Sequence, residues 1–188
     1  MDLISSIFSG FGLSASAGLN AYIPLLMLGI LNRYTGLVDL AEPYSAISSG
    51  WALGTLGVLV VIEVFADNVP LVNHVNDAIQ TVVRPAAGAL VFAASTDVAD
   101  VNPALAIVAG LLVAGSVHAT KAVVVRPAVT ATTGGLGNTP VSVTEDFLSA
   151  SVSFLSILIP IIVGLFLVIT VGPIAWWRLR RRRQTAAR

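Results

Sequence analysis

The sequence predicts an all-α fold, a polytopic bundle of membrane helices with four to six membrane segments. Of its 188 residues, 56% are hydrophobic and only 11% are charged, and the mean hydropathy is +0.90. A soluble domain carries about 25% charged residues, so this composition cannot supply a water-facing surface. At roughly 20 residues per spanning helix, these segments with their connections leave little of the chain for a soluble domain.

Most of the positive charge lies at one end of the chain. Six of the ten Lys and Arg residues fall within 178–188, directly after the Trp176-Trp177 pair. Lys and Arg beside a membrane segment favour the cytoplasmic side, and tryptophan favours the membrane interface. We therefore expect a single membrane domain over 1–177 and a cytoplasmic basic tail over 178–188 that binds no nucleic acid.

The first apolar stretch runs from Leu3 to Leu31 and is rich in small residues. No Lys or Arg precedes it, so we expect a membrane helix rather than a cleaved signal. Gly10, Ser14 and Gly18 form a stripe that lets another helix approach closely. Asn20 interrupts the run, which indicates either a kinked packing helix or a break that faces a polar cavity.

The middle of the chain contains two further apolar stretches. A turn-rich loop over 33–49, with room for one interfacial helix, precedes a second segment from Trp51 to Ala66. Pro70 permits a new helix start, and the pattern after it is amphipathic, typical of a helix at the interface or beside a cavity. The stretch from Arg84 to Ala94 is too short to span alone, so it either continues this helix or re-enters.

The second half of the chain has an ambiguous topology. The run from Pro103 to Thr133 indicates one tilted helix or two half-helices, and the final segment is Phe147 to Trp177, bent at its prolines and glycines. Acidic loops are predicted around Asp97 and around Glu145-Asp146. A re-entrant hairpin over Lys121 to Pro127 would put both loops outside the cytoplasm. Alternatively, acidic loops carry little topological weight.

One five-residue sequence occurs twice. Val82 to Ala86 and Val124 to Ala128 are both Val-Val-Arg-Pro-Ala. Small transporters are often built from two related halves whose broken helices meet near the membrane midplane. We predict a weak internal two-fold repeat, with halves over 1–95 and 103–177 that each contain an Arg-Pro break. Chance similarity in a chain rich in valine and alanine is the alternative.

Charged side chains inside the predicted segments are the candidate binding residues. Each costs at least about 2.5 kcal/mol at a helix centre on insertion scales, so it requires a partner or a wet cavity. Either these groups form ion pairs that only fix helix register, or arginines hold an anion while carboxylates or His118 carry protons. The candidates are Arg84, Arg126, Lys121, Glu63, Asp67, Asp77, His118, Asn138, Glu145 and Asp146.

Motifs of enzymes and cofactor-binding proteins are missing from the sequence. There is no cysteine, and His74 and His118 are too few and too separated to indicate a metal site. The sequence contains no H-E-x-x-H, no G-x-S-x-G and no phosphate-binding glycine loop. We expect a protein that is not an enzyme and has neither a cofactor nor a metal.

Several short motifs are spread along the chain. They are Gly-Leu-Asn-Ala at Gly18 to Ala21, Glu63 with Asp67 and Pro70, Asp77 followed by Arg84-Pro85, and Gly-Asn-x-Pro-x-Ser from Gly137 with Glu145-Asp146. Together they resemble a family of uncharacterised bacterial integral membrane proteins, a domain of unknown function, over the whole chain. The resemblance implies a multi-pass protein of the bacterial cytoplasmic (inner) membrane, without assigned chemistry.

Two functions are compatible with these observations. The first is a small transport or lipid-handling protein that binds an anionic small molecule or lipid headgroup in an arginine-containing polar cavity of the bilayer. The second is a non-catalytic accessory or assembly subunit of a larger membrane complex, docked through the stripe of Gly10, Ser14 and Gly18. A homo-oligomer is compatible with either function.

Overall fold

The computed structural model describes residues 3–68, 70–97, 100–166 and 169, without the side chains of residues 67–75 and 77. Within these residues the chain is helical and has no strand, so the predicted all-α helix bundle is confirmed. Three helical stretches are long and apolar enough to cross a membrane. They are Ala78–Thr96, Pro103–Thr133 and Asn138–Leu158.

The α-helices are numbered in chain order. They are α1 (Leu3–Leu19), α2 (Tyr22–Tyr34), α3 (Gly50–Asn68), α4 (Pro70–Thr96), α5 (Pro103–Thr120), α6 (Arg126–Thr133) and α7 (Asn138–Leu158). The predicted loop over 33–49 holds a short 3-10 helix, Tyr44–Ser48, and α3 corresponds to the predicted second segment. A π-helical turn, Lys121–Val125, joins α5 to α6.

The first two helices form a hairpin that returns to the end of the bundle from which it starts. Asn20 follows α1, and its side-chain oxygen accepts hydrogen bonds from the backbone N–H groups of Tyr22 and Ile23 at 3.0 and 3.1 Å. These bonds cap the start of α2. Ser6 on α1 and Val38 beyond α2 line the same cavity. The interruption at Asn20 is therefore a break that reverses the chain, not a kink.

This hairpin reaches only part of the way along the bundle. The Lys121 ammonium lies 3.4 Å from the Leu19 carbonyl oxygen at the end of α1. From Lys121 the helical stretch continues to Thr133, about 18 Å further at 1.5 Å per residue. The hairpin of α1 and α2 is thus shorter than the bundle, whereas the alternative of a re-entrant hairpin over Lys121 to Pro127 is wrong, because the helical stretch runs on through these residues.

Both Arg-Pro pairs lie inside continuous helical stretches. α4 runs through Arg84 and Pro85, so this stretch continues the preceding helix and the predicted break is absent. Before Pro127, the π-helical turn shifts the backbone bonding, and the Arg126 N–H reaches the Lys121 carbonyl oxygen. A π turn inserts a residue without ending the helix. The chain therefore passes this proline without turning back.

The stripe of small residues on α1 is packed against the protein's own helices. Ser14 Oγ donates a hydrogen bond to the Gly88 carbonyl of α4 at 2.8 Å. A Cβ atom on Gly18 would lie 2.6 Å from the Ala114 carbonyl of α5, and one on Gly10 would meet a phenylalanine ring at 3.2 Å. Such small residues let helix backbones approach closely. The stripe is therefore not available to dock a separate subunit.

The last described helices differ from the predicted final segment. α7 begins at Asn138, well before Phe147, and its helical backbone is interrupted at Ile159, where φ is −137° and ψ is 59°. Pro160 causes this end because it has no N–H group and disfavours helical geometry in the residue before it. The bend predicted at Pro160 is thus present, whereas the predicted start at Phe147 is wrong, and the end of the segment and the basic tail lie outside the described residues.

The bundle is apolar on its surface and partly polar inside. Large apolar side chains such as Val61, Leu112 and Phe147 are exposed, as expected for helices that face lipid. The buried residues include nearly as many polar as apolar side chains. In a membrane, buried polar groups must find partners within the protein. The polar interior is therefore where a functional site is to be sought.

Candidate functional site

A fully buried ion pair lies between α3 and α4. Arg84 Nη2 donates to Glu63 Oε1 at 2.7 Å, and each side chain is only 1% exposed. Removing two charges from water costs several kcal/mol per ion, so such a pair needs short, charge-assisted hydrogen bonds. In this structure Glu63 is thus paired with a buried cation, Arg84.

His118 brings α5 into contact with this pair. Its Nδ1 lies 3.3 Å from Arg84 Nη1, and its Nε2 lies 3.2 Å from Thr81 Oγ1. A guanidinium only donates hydrogen bonds, so the His118 Nδ1 must be the acceptor. The ring proton of a neutral imidazole is then on Nε2, facing Thr81. Arg84 is thereby held between one carboxylate and one neutral acceptor.

A second buried ion pair lies next to the first. The Lys121 ammonium is 2.6 Å from Glu145 Oε2 on α7, and the two side chains are 3% and 10% exposed. Lys121 is also within electrostatic range of Arg84 and Arg126, so both pairs belong to one charged region. The predicted acidic loop around Glu145-Asp146 is wrong, because both residues lie within α7.

The hairpin tip contacts this region through Asp146. Asp146 Oδ1 accepts a hydrogen bond from Asn20 Nδ2 at 2.9 Å, while the other polar atom of Asn20 caps α2. The carboxylate therefore lies beside the N-terminal end of α2, where the helix dipole carries a partial positive charge. Broken helices whose ends meet charged groups inside the membrane are typical of transporter binding sites.

Six of the ten predicted residues come together in what we name the central cluster. It consists of Glu63, Arg84, His118, Lys121, Glu145 and Asp146. Arg126 is half-buried at its edge. Asn138 lies two turns before Glu145, and its amide contacts the Thr130 hydroxyl at 3.1 Å instead. The side chains of Asp67 and Asp77 lie outside the described residues.

Three polar residues beside the central cluster are not among the predicted binding residues, although Asn20 was predicted to interrupt the first apolar stretch. Asn20 and Gln80 are 0% and 1% exposed, and the Tyr22 hydroxyl interacts with Gln80, Glu63 and Arg84. For Asn20 the signal was an amide within an apolar run. For Gln80 it was the position one turn before Arg84, which puts both side chains on one face of α4.

The described charges around the central cluster balance. Three carboxylates, on Glu63, Glu145 and Asp146, face three cations, on Arg84, Lys121 and Arg126. Within the described part of the chain, no group of three His, Asp or Glu side chains is arranged to hold a metal ion. An additional anion is attracted here only after one of the carboxylates has been neutralised, for example by a proton.

A cavity of about 240 Å³ lies at the end of the bundle where α1 starts. Ser6, Ser9, Asp39 and Ser95 are among its lining residues. Ser95 follows Arg84 by eleven residues on α4, which is about 16 Å along the helix axis. This cavity is therefore separate from the central cluster, whose ions are paired and closed off in this structure.

These features define a helical membrane protein with a cluster of paired ions buried at the tip of a part-length helical hairpin. The chain belongs to the family described as "Domain of unknown function (DUF4126)", whose model matches residues 7–181. The family resemblance of the sequence is thereby confirmed. No curated protein and no solved structure matches the chain.

Proposed function

We propose that this chain is a small transporter that moves an anion together with protons, and that the central cluster is its substrate site. The observation that carries the proposal is the pair of neighbouring buried ion pairs, Glu63 with Arg84 and Lys121 with Glu145. Ionisable groups within membrane segments usually mark ion paths or proton relays. One buried ion pair would be enough to hold two helices together, whereas here two such pairs lie beside the break between α1 and α2.

When no substrate is bound, the paired carboxylates occupy the cations that would otherwise bind the substrate anion. When Glu63 binds a proton it loses its charge, and the Arg84 guanidinium is released to bind another anion. The same exchange at Glu145 releases Lys121. Because a bound proton cancels the charge of one carboxylate, the substrate anion replaces it without a net change in buried charge. Proton loss reverses the exchange and expels the anion.

The substrate class follows from the cations that would hold it. The arginine fork binds carboxylate or phosphate oxygens through two parallel hydrogen bonds, and lysine adds a point charge. The N-terminal end of α2 adds partial positive charge from the backbone. The central cluster is closed and surrounded by six helices, α1 to α5 and α7, which favours a small anion over a whole lipid headgroup.

The cellular setting is part of the proposal. The basic residues after Trp177 favour the cytoplasm, so we place the C-terminus there and the protein in the bacterial cytoplasmic (inner) membrane. We propose no enzymatic activity. The accessory-subunit hypothesis has less support, because the stripe of Gly10, Ser14 and Gly18 on which it depended is occupied by α4 and α5.

Proteoliposomes that enclose a pH-sensitive dye test this proposal. Inward gradients of chloride, phosphate or succinate are imposed in turn, and acidification of the interior is recorded. We expect at least one anion to drive acidification by the wild type, and Arg84→Gln to abolish it. Arg33→Gln is the matched control, because Arg33 is exposed and lies outside the central cluster, with its guanidinium at the Ser48 carbonyl and the Tyr34 ring. No acidification with any anion, or full activity of Arg84→Gln, contradicts the proposal.

A further inference from the structure

The buried face of α7 is lined by hydroxyl groups rather than by apolar side chains. Its buried residues include Ser142, Glu145, Ser149, Ser153 and Ser156. Intervals of three or four residues put all of them on one side of the helix. Single serines commonly join membrane helices, but a row of this length also runs from the centre of the protein towards one end.

Ser16 of α1 joins two of these hydroxyls into a chain. Ser16 Oγ lies 2.8 Å from Ser149 Oγ and 2.6 Å from Ser153 Oγ. All three side chains are 0% exposed. A hydroxyl donates one hydrogen bond and accepts others, so each of the three can pass a proton on while receiving another.

The two ends of this row reach chemically different places. At one end, Ser149 lies one helical turn from Glu145 and hence from the Lys121–Glu145 ion pair. At the other end, Ser156 lies three residues after Ser153, its hydroxyl donates to the Val152 carbonyl at 2.6 Å, and its neighbour Ile157 lines the 240 Å³ cavity. The row therefore runs from the central cluster towards that cavity.

The cavity has the properties of a water-filled entrance. Its volume holds about eight waters at roughly 30 Å³ each. Leu37 and Asp39 line it and are exposed, so it reaches the surface. Ser6 also lines it, is 1% exposed, and its hydroxyl has no hydrogen-bond partner within the described part of the chain. A buried hydroxyl requires a partner, and water in the cavity would supply one.

We infer that Ser156, Ser153, Ser16 and Ser149 form a proton pathway from this cavity to Glu145. The inference rests on the proposed proton-linked function and adds the route that the protons take. A hydronium ion in the cavity gives a proton to the first hydroxyl oxygen and becomes water, and that hydroxyl releases its own proton to the next. The last proton forms an O–H bond on the Glu145 carboxylate. Each serine ends with one proton, as it began, and Glu145 becomes neutral.

Ser14 provides a matched control for the pathway. Like Ser16 it lies on α1, is 0% exposed and donates a buried hydrogen bond, in its case to the Gly88 carbonyl at 2.8 Å. Ser14 faces α4, however, and lies outside the row of hydroxyls. If the serines only hold helices together, Ser14→Ala and Ser16→Ala should affect proton movement alike.

Infrared difference spectroscopy of the reconstituted protein after a drop in pH measures this pathway without any transport assay. Isotope-labelled glutamate identifies glutamic acid bands, and the band that Glu145→Gln removes belongs to Glu145. Proton transfer through a positioned group accelerates a step by about 10²-fold or more, so we expect Ser16→Ala to delay this band at least tenfold. Ser153→Ala should cause the same delay, and Ser14→Ala none.

The outcomes separate this inference from the proposed function. Wild-type timing in both Ser16→Ala and Ser153→Ala, or the lack of any glutamic acid band in the wild type at low pH, overturns the pathway. If the delay is found while no anion drives acidification of proteoliposomes, the pathway stands and the anion-transport proposal fails.

Discussion

At the scale of single residues, Arg84 illustrates how the interior is balanced. Its guanidinium lies between Glu63 and His118 and is fully buried. Removing one partner of a buried ion pair leaves an uncompensated charge, whereas replacing both with apolar groups of similar size is often harmless. Stability therefore depends on the pair being complete rather than on its being charged.

A double-mutant cycle measures this dependence. We expect Glu63→Leu and Arg84→Met each to lower the free energy of unfolding by about 3–5 kcal/mol, and the double variant to lose less than either single variant. The measurement is unfolding in detergent micelles followed by tryptophan fluorescence. Losses that simply add in the double variant would show that the two side chains do not depend on each other.

Asn20 is a second residue whose two contacts can be separated. Asn20→Ala removes both the cap of α2 and the bond to Asp146, and we expect it to cost about 1–2 kcal/mol. Asn20→Asp keeps a capping oxygen but places a carboxylate beside Asp146, so it should destabilise more strongly at neutral pH than at acid pH. Unfolding midpoints at both pH values test this. Equal effects at both would contradict the Asn20–Asp146 contact.

At the scale of elements, the close approach of α1 to α5 limits the size of the side chains that fit between these helices. A Cβ atom on Gly18 would lie 2.6 Å from the Ala114 carbonyl oxygen, whereas Gly54 on α3 has open space around it. Overpacking costs about 1–3 kcal/mol, and an exposed helical glycine gains stability when replaced by alanine. We therefore expect Gly18→Ala to destabilise and Gly54→Ala not to, in the same unfolding assay.

The helices could largely be predicted from the sequence, but their contacts could not. Hydropathy located α3 and the helical run from Pro103 to Thr133, because lipid-facing segments must be apolar along their length. Glu145 was predicted in a loop, because a carboxylate within a membrane helix is costly unless it has a partner. That partner, Lys121, belongs to another helix, and its proximity depends on three-dimensional packing. The four-residue interval between Ser149 and Ser153 was the available sign that this part of the chain is helical.

At the scale of the whole molecule, the hairpin of α1 and α2 determines the topology. Its two ends lie at one end of the bundle, while its tip is level with the central cluster. The turn after α6 lies beyond that tip, at the opposite end of the bundle. We expect this hairpin to enter the membrane without crossing it, so a count of apolar stretches would overestimate the number of crossings.

Single-cysteine labelling tests this topology, and the chain contains no cysteine of its own. Leu3→Cys and Thr35→Cys should react with an impermeant maleimide from one side of the membrane, and Leu136→Cys, at an 86% exposed position, from the other. Ala21→Cys should react from neither side, because Ala21 is 0% exposed. Labelling of Ala21→Cys from the Leu136 side would indicate two full crossings instead of a hairpin.

The central claim is that the buried ions serve transport and do not only hold the helices in register. The Glu63→Leu/Arg84→Met double variant tests it most directly, because apolar replacement of the pair should preserve folding. Anion-driven acidification is measured in proteoliposomes containing either the wild type or this variant, at equal amounts of folded protein. We predict that the folded double variant has lost all anion-driven acidification. Wild-type acidification by the double variant would contradict the account.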